Sequence, residues 1–164
     1  MTRVLRAAAL LALAPAALWL AVSAGGSTAG CTPGMTKING VSARVFCGPA
    51  KATVRLGGKT FTFSGGDCER TSDYLAVNIG TVLLGTAAHK PDYFGLDVGR
   101  ILGTGTPARR DGTYKGSALA VDYGGKGYAV RADQISVTLS GNRSKGTFTA
   151  SLLLGGNVSG SFSC

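Results

Sequence analysis

Histidine, tryptophan and carboxylates are scarce in this chain of 164 residues, and each scarcity removes a class of function. A single histidine, His89, excludes a His-rich metal site. As a catalytic base it would need a nucleophile and an orienting acid, and no G-x-S-x-G or comparable signature is present. Its setting, Thr86-Ala87-Ala88-His89-Lys90-Pro91, reads as an exposed loop. Trp19 is the only tryptophan and falls in the N-terminal apolar run. A sugar-stacking platform would therefore rest on Tyr93-Phe94 with Tyr74, Tyr114, Tyr123 and Tyr128, residues that on strands chiefly cover core edges.

The acidic residues number eight: Asp67, Glu69, Asp73, Asp92, Asp97, Asp111, Asp122 and Asp133. A glycosidase needs two carboxylates facing one bond, and Asp92 with Asp97, or Asp67 with Glu69, could be proposed on distance in sequence. Asp beside Gly is chiefly turn chemistry, so no catalytic pair is expected. Asp67, Glu69 and Asp73 lack the dense Asp/Asn/Gly loop of a strong calcium site. No cofactor motif and no metal site is predicted.

Glycine is abundant, 26 of 164 residues, against a usual share of roughly 7%. Many glycines stand in pairs between short apolar runs, which marks turns rather than a collagen period. The composition points to an all-β domain and excludes a coiled coil or a multispan membrane protein.

Arg3 and Arg6 precede an apolar run from Ala7 to Val22, too short for a typical membrane span and followed by small residues. This reads as an export signal over residues 1–24, cleaved after Ala24 at Val22-Ser23-Ala24. A second reading is a lipobox at Thr28-Ala29-Gly30-Cys31, with lipid carried by Cys31. Either way the destination is extracytoplasmic: secreted or envelope-associated. All four cysteines, Cys31, Cys47, Cys68 and Cys164, follow the signal, and an even number in an oxidising compartment predicts two disulfides. Their spacings of 16, 21 and 96 residues resemble no zinc pattern, and spacing leaves all three pairings open.

Residues 25–37 read as a flexible leader, and 38–164 as a single β domain. The clearest signal is Lys51 to Phe63. A two-residue Gly57-Gly58 loop sets Leu56 against Lys59, Val54 against Phe61 and Ala52 against Phe63, so apolar residues share one face. At the C-terminus, a three-residue loop Gly155-Gly156-Asn157 sets Leu154 against Val158, Ala150 against Phe162 and Phe148 against Cys164. Val41–Phe46, Tyr74–Leu84, Tyr93–Val98, Tyr114–Tyr123, Tyr128–Arg131 and Ile135–Ser140 read as further strands. The prediction is an antiparallel sandwich or closed barrel of about eight or nine short strands.

After the signal, 17 − 2 = 15 basic side chains face eight acidic ones, a balance of +7. Such a surface favours anionic envelope polymers or a lipid surface as partners. The cations are scattered and lack interleaved aromatics, so no nucleic-acid partner is predicted.

Four stretches carry a family pattern: Ala43-Arg44-Val45-Phe46-Cys47, Ala52-Thr53-Val54-Arg55-Leu56-Gly57-Gly58, Asp111-Gly112-Thr113-Tyr114-Lys115-Gly116-Ser117-Ala118 and Gly160-Ser161-Phe162-Ser163-Cys164. Together they resemble the mycobacterial 19 kDa lipoprotein antigen family, small exported envelope proteins with one cysteine after the first strand and another at the extreme C-terminus. The resemblance implies a Cys47–Cys164 disulfide, with Cys31 and Cys68 left to each other. It also implies a surface-exposed envelope or adhesion protein without enzymatic activity. The family's lipid-bearing cysteine follows directly on its h-region, whereas here Thr28 and a spacer intervene, and Cys68 has no counterpart in the family pattern.

The expectation is thus an exported, non-catalytic binding or structural protein of a bacterial envelope. The alternative is an apolar-ligand carrier with a cavity lined by Phe61, Phe63, Phe148 and Leu152; a hydrolase, or a protease inhibitor presenting a loop from Thr104 to Asp111, stands behind it.

Overall fold

A computed structural model describes residues 30–100 and 105–164; the expected export signal, both of its expected cleavage sites up to Ala29, and Thr104 lie outside the described residues. Twelve strands follow in order: β1 (Gly34–Ile38), β2 (Val41–Phe46), β3 (Ala50–Leu56), β4 (Lys59–Arg70), β5 (Tyr74–Leu83), β6 (Tyr93–Gly99), β7 (Gly112–Lys115), β8 (Ala118–Tyr123), β9 (Lys126–Tyr128), β10 (Ser136–Ser140), β11 (Lys145–Ser151) and β12 (Asn157–Ser163). A 3₁₀ turn, Ala132–Gln134, is the sole helical element among the described residues. All pairings are antiparallel, in the order β7-β10-β11-β12-β3-β4-β5-β6-β8-β9, with β2 against β5 and β1 against β2.

The β3–β4 hairpin has the predicted register, Leu56 opposite Lys59, Val54 opposite Phe61 and Ala52 opposite Phe63. Gly57 and Gly58 take φ of 55° and 76°, left-handed values that a two-residue hairpin turn demands at both positions. Beyond Phe63 the strand shifts register and runs on to Arg70, so its first half pairs with β3 and its second half with β5. The crossing lies at Gly66, where a Cβ would strike the backbone of Asn78 and Ile79. Sequence reading stops this strand at Phe63, because Ser64-Gly65-Gly66-Asp67 looks like a turn.

The sheet curls so that β6 faces β11 across one core. Phe94 and Phe148, both essentially buried, bring their ring centroids to 5.5 Å, and Phe63 stands 5.9 Å from Phe94. Leu75, Val77, Ile79, Leu96, Val98, Val121, Val137 and Leu139 complete this layer from alternate positions of their strands. The curl does not become a closed barrel. The terminal strands of the order, β7 and β9, are short and do not pair with each other; instead the chain after β9 bridges to the end of β11 at Val130 and Leu152.

Three further expectations are corrected. The part of the leader from Gly34 onward is strand β1, paired along its length with β2. In the β11–β12 hairpin, Ala150 opposes Val158, Phe148 opposes Gly160 and Gly146 opposes Phe162. Each phenylalanine needs the open space over a glycine, which a register matching Ala150 with Phe162 does not supply; Leu153 and Leu154 consequently leave the sheet and form the loop tip. Finally, the disulfides are Cys31–Cys47 and Cys68–Cys164, not the Cys47–Cys164 pairing that the resemblance implies. Cys68 projects inward from β4 beside the end of β12, while Cys47 follows β2 directly and meets the segment leading into β1.

Candidate functional site

The register turns local alternation into a continuous surface. On the side of β4, β3, β12, β11, β10 and β7 away from the core, one row of directly opposed residues reads Thr62, Thr53, Ser161, Thr147, Thr138 and Thr113. The adjacent row reads Thr60, Arg55, Ser159, Thr149, Ser136 and Lys115. A third reads Ser64, Lys51, Ser163, Lys145 and Ser140. Every position is Ser, Thr, Lys or Arg, and no carboxylate or large apolar side chain interrupts the three rows.

Strands spaced about 4.8 Å apart, with same-face residues about 6.8 Å apart along each strand, make this a regular lattice of donors and acceptors. Thr113 and Thr138 link their hydroxyls at 3.0 Å. The face is mostly exposed, with a shallow depression of about 270 Å³ lined by Thr53, Arg55, Thr147, Thr149, Ser159 and Ser161. Hydroxyls donate and accept, whereas Lys51, Arg55, Lys115 and Lys145 only donate. The combination suits a ligand rich in hydroxyl and anionic oxygen. Sequence reading found the alternation in each strand but not the face, since only the pairing order sets Thr53 beside Ser161 and Thr138 beside Thr113.

The outer face of the other half has the opposite character. Asp67 and Glu69 of β4, Tyr74 and Asn78 of β5, Tyr93 and Asp97 of β6 and Asp122 of β8 share it. The Tyr93 ring lies across Gly95, and its hydroxyl donates to Asn78 Oδ1 at 2.7 Å. Burial pushes the Tyr93 phenol up to about 12, with Asp97, Asp122 and Asp67 adding to the rise. Burial also raises Asp97 above the usual carboxylate range, and the Glu69 charge raises it further. Asp67 is raised by burial against the pull of Arg44, and its buried Oδ1 lacks a hydrogen-bond partner. The Tyr74 hydroxyl donates to Glu69 Oε1.

Of the proposed carboxylate pairs, Asp67 and Glu69 do share a face. Asp92 does not join Asp97: its carboxylate accepts the Gly124 N–H at 2.8 Å and serves a turn. Asp73 turns from Asp67 and Glu69 to ion pairs with Arg109 at 3.1 Å and Arg100 at 3.8 Å. Among the described residues, no three His, Cys, Asp or Glu side chains converge as metal ligands would. His89 is exposed in its loop and covers Gly125.

Arg109 and Arg110 are exposed in the loop singled out for an inhibitor, beside a cleft of about 700 Å³ that Arg100 and Tyr114 also line. Arg143, unremarked in the sequence, anchors that loop: its Nη1 donates to the carbonyls of Thr71 and Ala108, each at 2.8 Å. Of the side chains assigned to an apolar cavity, Phe63 and Phe148 meet at Phe94, and Phe61 stacks on Tyr123 at 4.2 Å. Compared with protein-family models, curated proteins and solved structures, the chain matches none.

Proposed function

We propose that the chain is an exported, disulfide-stabilised β-sandwich domain of a bacterial envelope that binds an anionic, hydroxyl-rich envelope polymer and performs no catalysis. The observation that carries this reading is the three-row hydroxyl and cation face. A polyanionic glycan laid on it exchanges water hydrogen bonds for an array of Ser and Thr hydroxyls, while Lys51, Arg55, Lys115 and Lys145 supply attraction of one sign. The apposition of β6 and β11 across a shared core supports the sandwich, and two disulfides fit an oxidising compartment. The pattern resemblance to the 19 kDa antigen family supports an envelope setting, although its implied cysteine pairing does not hold here. A Cys31 sulfur bonded to Cys47 is not available for a thioether lipid, which favours soluble export over anchoring at Cys31.

Retention on polygalacturonate beads, compared with dextran beads, tests the reading. We expect retention on the polyanion that falls about tenfold or more in Lys51→Glu/Lys145→Glu, and that falls in Thr53→Val/Thr147→Val with net charge unchanged. Equal retention by a charge-matched unrelated protein would remove the proposal.

A further inference from the structure

Four large apolar side chains stand exposed among the described residues, and two of them, Leu153 and Leu154, are neighbours at the tip between β11 and β12. Leu154 is 102% exposed. They occupy the two central positions of a turn closed by the Gly155 N–H donating to the Leu152 carbonyl at 3.3 Å. Neither leucine takes a positive φ, so the turn accepts both without strain, but such tips ordinarily carry polar or small residues, and here they carry two apolar ones.

The tip is tied down. The Leu152 N–H donates to the Gly156 carbonyl at 3.0 Å, the Leu153 N–H to Ala129 at 3.0 Å, and the Arg131 N–H to Ser151 at 2.9 Å. Leu152 packs against the core, so the scaffold holds its two successors outward. Cations stand at the same end of the molecule. Arg131 is joined to Ser151, and Lys59 lies opposite Leu56, itself opposite Val158 at the start of β12. Lys126 lies opposite Tyr123, whose ring stacks on Phe61 near the start of β4. The carboxylates nearest in sequence are Asp133, exposed beyond Arg131, and Asp122, which is paired with Lys90 at 3.3 Å.

We propose that the Leu153–Leu154 tip docks this domain on an anionic phospholipid bilayer, with the two leucines entering the acyl boundary and Lys59, Lys126 and Arg131 meeting lipid phosphates. A rigid apolar point flanked by cations matches the two attractions available at such an interface. A water-soluble polymer has no apolar phase to receive the leucines, so this contact is separate from the hydroxyl face and does not rest on the polymer reading.

The test uses the protein as processed by an exporting bacterial host, both disulfides formed. Co-sedimentation is measured with vesicles of phosphatidylcholine alone and of equal parts phosphatidylcholine and phosphatidylglycerol. We expect retention on the anionic vesicles, weakened about tenfold or more in Leu153→Ser/Leu154→Ser. The far-UV circular dichroism spectrum and urea midpoint of that variant should match the wild type, which shows that it folds. In Leu154→Trp, the sole tryptophan after position 19 should shift its emission to the blue on anionic vesicles. Vesicle retention equal in wild type and the serine variant, or none in either, would overturn the proposal. So would a wild-type dimer that the serine variant loses, which would assign the tip to a second copy of the chain.

Discussion

Phe148 of β11 lies directly opposite Gly160 of β12, with its ring 2.5 Å from where a Cβ on that glycine would stand. Phe162 covers Gly146 of β11 in the reciprocal arrangement, at 2.8 Å. Gly160→Ala should therefore lower stability by about 1–3 kcal/mol, as overpacking of a dense core does. Urea denaturation reads this directly. Adding Phe148→Leu should recover part of the loss in a double-mutant cycle, though not all, because the Thr53 carbonyl also closes on the same space.

The two disulfides should differ in weight. Closing 16 residues limits the unfolded chain by about 3 kcal/mol in the loop-entropy account, and closing 96 by about 4.7 kcal/mol. Cys68→Ser/Cys164→Ser should thus unfold at lower urea than Cys31→Ser/Cys47→Ser. Peptide mapping of the oxidised protein should return Cys31 with Cys47 and Cys68 with Cys164, and a lipid mass on Cys31 would contradict the first pair.

Asp97 gives a pH dependence with a defined sign. Its folded value is raised from 3.8 by burial first and by Glu69 second. As pH rises past 3.8 the unfolded chain releases its proton before the folded one does, so stability falls until the folded carboxyl also ionises, and then levels. Asp67, raised the same way by burial, adds to the fall. Asp97→Asn should flatten this part of the profile and be at least as stable as the wild type at neutral pH, measured by urea midpoints from about pH 3 to about pH 8.

Arg143 holds the Arg109–Arg110 loop to the turn before β5 through two carbonyls, while the backbone N–H groups of Asn142 and Arg143 donate to Asp111. Arg143→Ala should cost about 1.5–3 kcal/mol, the range for hydrogen bonds to charged groups. Thr71 and Ala108 amide signals should shift in the variant while those of the β3–β4 hairpin stay in place.

Local chemistry made most strands legible. Alternation and the Gly57-Gly58 pair set the β3–β4 register, and Val41–Phe46 stands as read. What escaped depends on packing and pairing between strands rather than on alternation within one. The β11–β12 register follows the need of Phe148 and Phe162 for glycine opposite, a packing demand that apolar matching alone reverses. Ser64-Gly65-Gly66 looks like a turn because its strand character comes from β3 and β5 on either side. The hydroxyl face was visible only as separate Thr and Ser alternations until Thr62, Thr53, Ser161, Thr147, Thr138 and Thr113 fell into one row.

The passage of β4 from one neighbour to the other at Gly66 bears on how the molecule comes apart. A single strand carries the ladder bonds of β3 along its first half and those of β5 along its second, and Cys68 then fastens it to the chain's last residue. Opening either flank therefore disturbs the one strand on which the other also pairs. For a domain exported as proposed above, where proteases are plentiful and chaperones few, the crossing ties resistance to nicking to both halves of the sheet at once.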